Sequence, residues 1–269
     1  MCNFYGKTRQ GYYKNQKELP NKKETVLKDV CSLVLKVKTV LPNSGVRKVY
    51  KLIKADLDAQ SLKVGRDALF DIVRDMGLLL KRRHSGKKTT NSNHPYKRYS
   101  NLVKELEVTR PNQVFVSDIT YIACESKSLY LSLITDMYSR RIVGYELSES
   151  LTANGPIKAI KMALKGVKNP DALIHHSDRG VQYCCNDYIA ILQKAGVKVS
   201  MTEEQHVYEN AMAERVNGIL KWEFGLNSKF KTKEEAYRVL NEAIHLYNSY
   251  RPHLSLNYKT PDKIYFNEI

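Results

Sequence analysis

The sequence has no obvious means of crossing or leaving a membrane. No apolar run approaches the roughly 20 residues that a membrane helix requires, and the opening "MCNFYGKTRQGYYK" has no apolar signal core. A soluble, cytoplasmic protein without a membrane partner is expected. Cysteine is sparse: Cys2, Cys31, Cys124, Cys184 and Cys185 form no CxxC pair, and the neighbours Cys184 and Cys185 are ill placed for an ordinary disulfide. That excludes a disulfide framework and leaves reduced thiols. Internal repeats are absent, and the single tryptophan, Trp222, is expected to pack in a core.

Acid is scarce in one region only. Residues 1–110 hold 25 Lys+Arg against 10 Asp+Glu, a net of +15, whereas residues 111–269 hold 19 against 18, a net of +1. Nearly all of the formal +16 therefore belongs to the first two-fifths of the chain. Such a half suits a polyanion, and for a cytosolic protein nucleic acid is the commoner one. A merely soluble basic face is the plainer alternative. At 269 residues the chain is long enough for one sizeable core and a second, smaller unit.

Hydrophobic periodicity divides the chain along the same line. In "VRKVYKLIKADL" Val46, Val49, Leu52, Ile53 and Leu57 share a helical face, and in "GRDALFDIVRDMG" so do Leu69, Ile72, Val73 and Met76. Helix, turn and helix over about 45–78, followed by "KRRHSGKK", suit a major-groove reader with a phosphate-contacting tail. Arg66, at the start of the second helix, is the candidate for base contact, and Arg82 and Arg83 are candidates for phosphate. Residues 1–83 are thus expected to be a helical DNA-binding region and 84–110 a basic linker. From 111 onwards the pattern changes. "VFVSDITYI" alternates, with Val114, Val116, Asp118, Thr120 and Ile122 on one face, and "SLYLSLITDM" and "RIVGYEL" follow as further strands in hairpin connection. A helix in "NGPIKAIKMALKG", a short strand ending at Asp178 and a helix around "DYIAILQKAG" complete a mixed sheet covered by helices.

Three carboxylates stand out by placement. Asp118 lies within the first strand, and Asp178, in "HHSDRGVQY", lies where a later strand ends. Glu214 lies on a polar helical stripe with Asn210, Asn217 and Lys221, in "YENAMAERVNGILKWEF". Asp178 before Arg-Gly also reads as an ordinary turn, with Gly180 supplying a backbone conformation that other residues avoid. Three negative charges converging at one sheet edge need a cation. An all-oxygen set suits Mg²⁺ or Mn²⁺, and two such ions about 4 Å apart serve in-line displacement at phosphorus. Asp136 competes as a ligand but is better placed to order the turn at Ser139–Arg141. His176 could orient the site or meet DNA. Arg251, with Tyr247, Asn248 and His253 in "YNSYRPHLSL", could touch phosphate or could equally pack the end of the core, and Glu223 is expected on the surface.

"VFVSDITYI", "HHSDRGVQY", "YENAMAERVNGILK" and "YNSYRPHLSLNYKTP" resemble, in order and spacing, the transposases of the insertion-sequence-three family, over roughly residues 45–265. These are DDE recombinases with a ribonuclease H-like core similar to that of retroviral integrases. The resemblance implies an α/β fold with a mixed five-stranded sheet flanked by helices, occupying 111–269 with a C-terminal helical extension and preceded by an all-α helix-turn-helix region. It implies that Asp118, Asp178 and Glu214 are the catalytic metal ligands and that Lys221 contacts the DNA end; Asn210 and Asn217, on the same polar stripe, are further candidates for DNA contact. No paired His and paired Cys precede the core, so an N-terminal zinc module is not expected. The implied protein is a bacterial transposase that binds terminal inverted repeats, cleaves to free a 3′-hydroxyl and joins that hydroxyl to DNA. It would act as a homo-oligomer on nucleoid DNA, either alone or fused by frameshifting to an upstream product. Two other readings are a non-enzymatic regulator on a degraded core, which the intact trio argues against, and a stand-alone nuclease, for which the basic half would be surplus.

Overall fold

A computed structural model describes residues 9–80, 95–125, 127–203 and 210–267, with residues 9–23 described by their backbone alone. Arg82 and Arg83 lie outside the described residues. The chain forms two compact units, Met1–Arg83 and His84–Ile269.

The first unit is helical. Helix α1 spans Arg9–Val40, α2 Val46–Ala59 and α3 Arg66–Asp75. Its core joins Val30, Leu33, Val34 and Val37 of α1 to Val46, Val49, Ile53 and Leu57 of α2 and Leu69 and Val73 of α3, with Leu52, Ile72 and Met76 packed at the margin. These are the faces expected from the periodicity. Gly45 and Gly65 precede α2 and α3 without a side-chain cap, so tertiary packing holds these short helices more than their termini do. A buried lysine closes the end of α1: Lys38 Nζ donates to the carbonyls of Ser44 (2.7 Å) and Pro42 (3.2 Å). Basic charge is concentrated on α2, where Arg47, Lys48, Lys51 and Lys54 face only Asp56 and Asp58. Helix α3 sets Arg66 and Arg74 against Asp67, Asp71 and Asp75.

The second unit is built on a mixed sheet. Strands β1 (Val114–Ile122), β2 (Leu129–Asp136) and β3 (Ile142–Ser148) are antiparallel neighbours, while β4 (Ile174–Ser177) and β5 (Lys198–Met201) run parallel to β1, in the order β3-β2-β1-β4-β5. Helix α4 (Asn154–Leu164) crosses between β3 and β4, and α5 (Val181–Cys184) and α6 (Asn186–Lys194) cross between β4 and β5. Helices α7 (Ala211–Glu223), α8 (Lys233–Ser249) and α9 (Pro261–Tyr265) follow. Ala159, Ile160, Tyr188 and Leu192 of α4 and α6 pack with Phe115 and Ile134 on one side of the sheet. Val216, Ile219, Leu220, Leu240 and Tyr247 of α7 and α8 pack with Ile122, Leu131 and Leu133 on the other. Both faces are covered, so Val114 through Ser117 are all buried, and β1 lacks at its start the one-sided pattern expected of it.

Two contacts set how closely these layers approach. A Cβ on Gly144 of β3 would lie 2.2 Å from the carbonyl oxygen of Ala159, so α4 rests its backbone directly on the strand. Residues 100–108, expected as the end of a linker, instead belong to this unit. Leu102 N donates to Ser200 Oγ (2.9 Å), Met201 N donates to Ser100 O (3.4 Å), and Val103, Leu106 and Val108 pack against Val114, Val116 and Ala213. Their apolar side chains outweigh the basic residues around them. Among the described residues no helix is long and apolar enough to cross a membrane, and Cys31, Cys124, Cys184 and Cys185 are free thiols.

Candidate active site

The site starts from strand register. The parallel pairing of β1 with β4 sets Ser117 opposite Ser177, and the next residue along the chain is Asp118, still within β1, on one side and Asp178, just past the end of β4, on the other. Helix α7 packs on β1 and β2 and carries Glu214 in its first turn. Asp118 feels the charges of both other carboxylates. Burial, and after it the charge of Asp178, pushes the Asp118 carboxyl up from 3.8 to about 7; donors at Asn217 and Ile119 pull it down, and Glu214 adds a smaller push. Although Asp118 keeps some accessible surface as a residue, its carboxylate is surrounded by protein. Among the described residues no three His, Cys, Asp or Glu side chains close on a single point.

Each aspartate is held by its own neighbours. Asp118 Oδ2 accepts from Asn217 Nδ2 (2.7 Å) and Oδ1 from Ile119 N (2.9 Å). Asp178 Oδ1 accepts from Gly180 N (3.0 Å), the turn contact expected of it. Gly180 has φ −63° and ψ 142°, which any residue adopts, and this corrects the expectation of a special backbone conformation. A Cβ there would lie 3.0 Å from Asp178 Oδ1 and 3.3 Å from Gln182 Oε1, so any larger residue would press on both side chains.

The polar stripe of α7 divides on folding. Glu214 is exposed, and Lys221 is half-buried, its pKa lowered by burial against the opposing pull of Asp118. Asn210 and Asn217 are buried. Instead of capping the helix, Asn210 Nδ2 donates to Ser117 O (3.1 Å), anchoring the start of α7 beside Asp118. The direct DNA contacts expected of these two asparagines give way to positioning contacts. His176 is corrected likewise: it is 1 % exposed within β4, with Nδ1 hydrogen-bonded to Ser200 Oγ (2.9 Å). Arg251 is 3 % exposed and donates from Nε and Nη2 to the two oxygens of Glu223 (2.8 and 2.7 Å). The pair locks the end of α8 onto α7, so Arg251 is not offered to phosphate and Glu223 is not a free surface acid. Tyr247, Asn248 and His253 are buried as well. Trp222 is half-buried and not a core residue. Arg66 is exposed beside Asp67 on α3.

Asp136 is fully buried and accepts from Ser139 N (2.7 Å), Ser139 Oγ (2.6 Å) and Asn112 N (2.8 Å). It orders the β2–β3 turn. Sequence reasoning missed a buried polar group behind the aspartates. His175 Nε2 is hydrogen-bonded to Ser117 Oγ (2.7 Å) and Tyr188 OH (2.8 Å), and burial, then His176, lowers its pKa to about 3, so the imidazole is neutral. Its one sequence signal is the double histidine at the end of a strand.

Residues 108–206 match the family described as integrase core domain, and residues 195–261 match a second family of the same description. The chain is 36 % identical over 266 residues to the insertion element IS600 uncharacterized 31 kDa protein of Shigella sonnei, covering 97 % of this chain and 96 % of that protein. It is 29 % identical over 228 residues to the transposase for insertion sequence element IS904 of Lactococcus lactis subsp. lactis, covering 78 % and 90 %. Among solved structures, an intasome of simian T-cell lymphotropic virus in complex with PP2A regulatory subunit B56 gamma aligns over 82 % of this chain and 74 % of that chain, with a TM-score of 0.50 at 15 % identity. That likeness concerns the fold alone, the ribonuclease H-like sheet with its flanking helices. The chain belongs to the family of bacterial insertion-sequence transposases with an integrase core, polynucleotidyl transferases of the DDE type.

Proposed function

We propose that Asp118, Asp178 and Glu214 are the metal-binding carboxylates of a strand-cleavage and strand-transfer site acting on the ends of the element. The observation that carries this reading is the β1–β4 register, which puts each aspartate directly after one of two paired residues, with the glutamate on a helix packed against β1. The donor chemistry fits a hard divalent cation: three carboxylates with no sulfur or imidazole among them, one raised to about 7 by burial and by its like-charged neighbours. When bound, Mg²⁺ or Mn²⁺, as a pair of ions, supplies activation of the attacking oxygen and stabilisation of the leaving one.

The remaining steps fall to the chain's own residues. Asn217 holds Asp118 in one orientation through Oδ2. Lys221, within electrostatic reach of Asp118, meets a phosphate of the DNA end. In the N-terminal unit the basic face of α2 takes backbone phosphates, and Arg66 at the start of α3 reaches base edges in the terminal repeat. Arg82 and Arg83 extend the phosphate contacts. Water attacks a phosphodiester first, breaking the P–O3′ bond to free a 3′-hydroxyl and leave a 5′-phosphate; that hydroxyl then attacks a phosphodiester of a second DNA strand, displacing the 3′-oxygen of that strand. Two ends must be processed together, so the reading includes a homo-oligomer on DNA.

The test is Asp178→Asn with a labelled element end and Mg²⁺. End binding should persist while both cleavage and joining vanish. Cleavage near the wild-type rate would remove Asp178 from the site.

A further inference from the structure

A cavity of about 490 Å³ opens in the core unit where segments distant in sequence meet. Its lining joins Leu106 and Val108 before β1, Tyr138 and Arg140 of the β2–β3 turn, and Asn257 and Lys259 between α8 and α9. That volume suits a small ligand or one unit of a larger one. The described lining residues include two cations and no acid. The acids nearest to those cations in sequence are engaged elsewhere: Asp136 accepts from Ser139 and Asn112, and Asp262 accepts from Arg141 Nε (2.7 Å). Glu105 and Glu107, which alternate with the wall residues, are exposed. The backbone around the cavity is also unusual. Arg140 (φ 67°), Asn257 (φ 52°) and its neighbour Tyr258 (φ 63°) are left-handed without being glycine, a conformation that persists only where the surroundings impose it and that gathers at ligand clamps. The loop closes on itself, with His253 N donating to Lys259 O (3.1 Å) and Tyr258 N to His253 O (2.8 Å). Arg140 Nη1 donates to Met137 O and touches Met212 Sδ. Met212 lies two residues before Glu214 on α7, so the cavity wall meets the helix that carries the glutamate.

We propose that this cavity binds one unpaired nucleotide of a DNA strand, its phosphate on Arg140 and Lys259 and its base on Tyr138 against the apolar wall of Leu106 and Val108. The inference rests on the reading of the protein as one that acts on element ends. An aromatic ring beside cations holds a single strand without regard to sequence, since every base has a face to stack and every unit a phosphate. A paired base lies inside the duplex and is out of reach of such a cavity until the strand opens. The site therefore favours an opened end over a closed one. It also gives "YNSYRPHLSLNYKTP" a DNA contact at Lys259, where Arg251 of the same motif is taken by Glu223.

The test uses the full chain in EDTA with two labelled element ends, one fully paired and one with a short unpaired tail carrying 5-iododeoxyuridine. Wild type should bind the tailed end about ten-fold more tightly, and irradiation should join the tail to Tyr138, located by mass spectrometry. Lys259→Gln alters an exposed side chain, and Arg140→Gly puts glycine where φ is 67°. Each should keep its affinity for the paired end and lose most of the preference for the tail. Equal binding of both ends by wild type overturns the inference, as do adducts confined to other segments. Variants that weaken both probes alike overturn it too, by marking the cations as ordinary duplex contacts. Free thymidine monophosphate that displaces the tail at equal concentration would make the cavity a small-molecule site and refute the strand proposal. Asp178→Asn separates this inference from the metal reading, because the tail preference is measured without metal: cleavage surviving in that variant refutes the metal site alone, and an absent tail preference refutes the cavity alone.

Discussion

Replacing Asp118 with asparagine should stabilise the metal-free protein at neutral pH, and the size of the effect follows from one displaced equilibrium. Asp118 is raised from 3.8 to about 7, first by burial and next by the charge of Asp178. The folded state thus holds a proton that the unfolded chain has already released. A raised acid contributes stability that is fully present below about pH 4 and is lost as pH rises through about 7. A shift of about three units, at about 1.4 kcal/mol each, makes the loss about 4 kcal/mol. Asparagine is neutral throughout and still offers an oxygen to Asn217 Nδ2, so Asp118→Asn should show no such decline. Urea titrations in EDTA from pH 4 to 8.5, followed by the fluorescence of Trp222, would measure the difference directly. The two proteins should be nearly equally stable at the acid end and diverge towards pH 8, and Mg²⁺ should restore the wild type only. A gap that stays constant with pH, or a wild type that gains stability on ionisation, would show that the site does not resist the charge on Asp118.

Gly144→Ala should destabilise the core unit by about 3 kcal/mol, the upper end for overpacking, because the added carbon meets backbone at Ala159 and not a flexible side chain; an unchanged thermal midpoint would contradict the contact. Gly180→Ala should leave the midpoint nearly intact and depress cleavage, since the new methyl crowds Asp178 Oδ1 where the backbone tolerates it. A variant with full cleavage would show that the Asp178 rotamer has room to spare. Arg251→Ala should cost about 3–5 kcal/mol by removing the partly buried ion pair with Glu223, while the salt dependence of DNA binding stays as in wild type. If instead binding loses salt sensitivity and stability holds, Arg251 contacts phosphate after all.

Sequence periodicity by itself determined the apolar faces of α2 and α3, the first three strands and the concentration of positive charge before residue 111, because each is a local pattern of period 3.6 or 2 or a simple count. The order of the motifs put forward Asp118, Asp178 and Glu214, the trio proposed above as metal ligands. Tertiary structure decided what the polar residues do. The stripe Asn210–Glu214–Asn217–Lys221 is uniform in sequence, yet Asn217 is buried because a partner 99 residues earlier, Asp118, receives its amide, and Glu214 is left exposed one turn away. Arg251 could by sequence touch phosphate or pack the end of the core, and Glu223, 28 residues earlier, decides between them by closing on it. The glycine after Asp178 reads as a turn signal, while the fold uses it for clearance beside a carboxylate. A polar side chain is recorded locally only as polar. Whether it faces water, DNA or a buried acid depends on which distant segment the β1–β4 register and the packing of α7 bring against it, and that information exists only once the chain has folded.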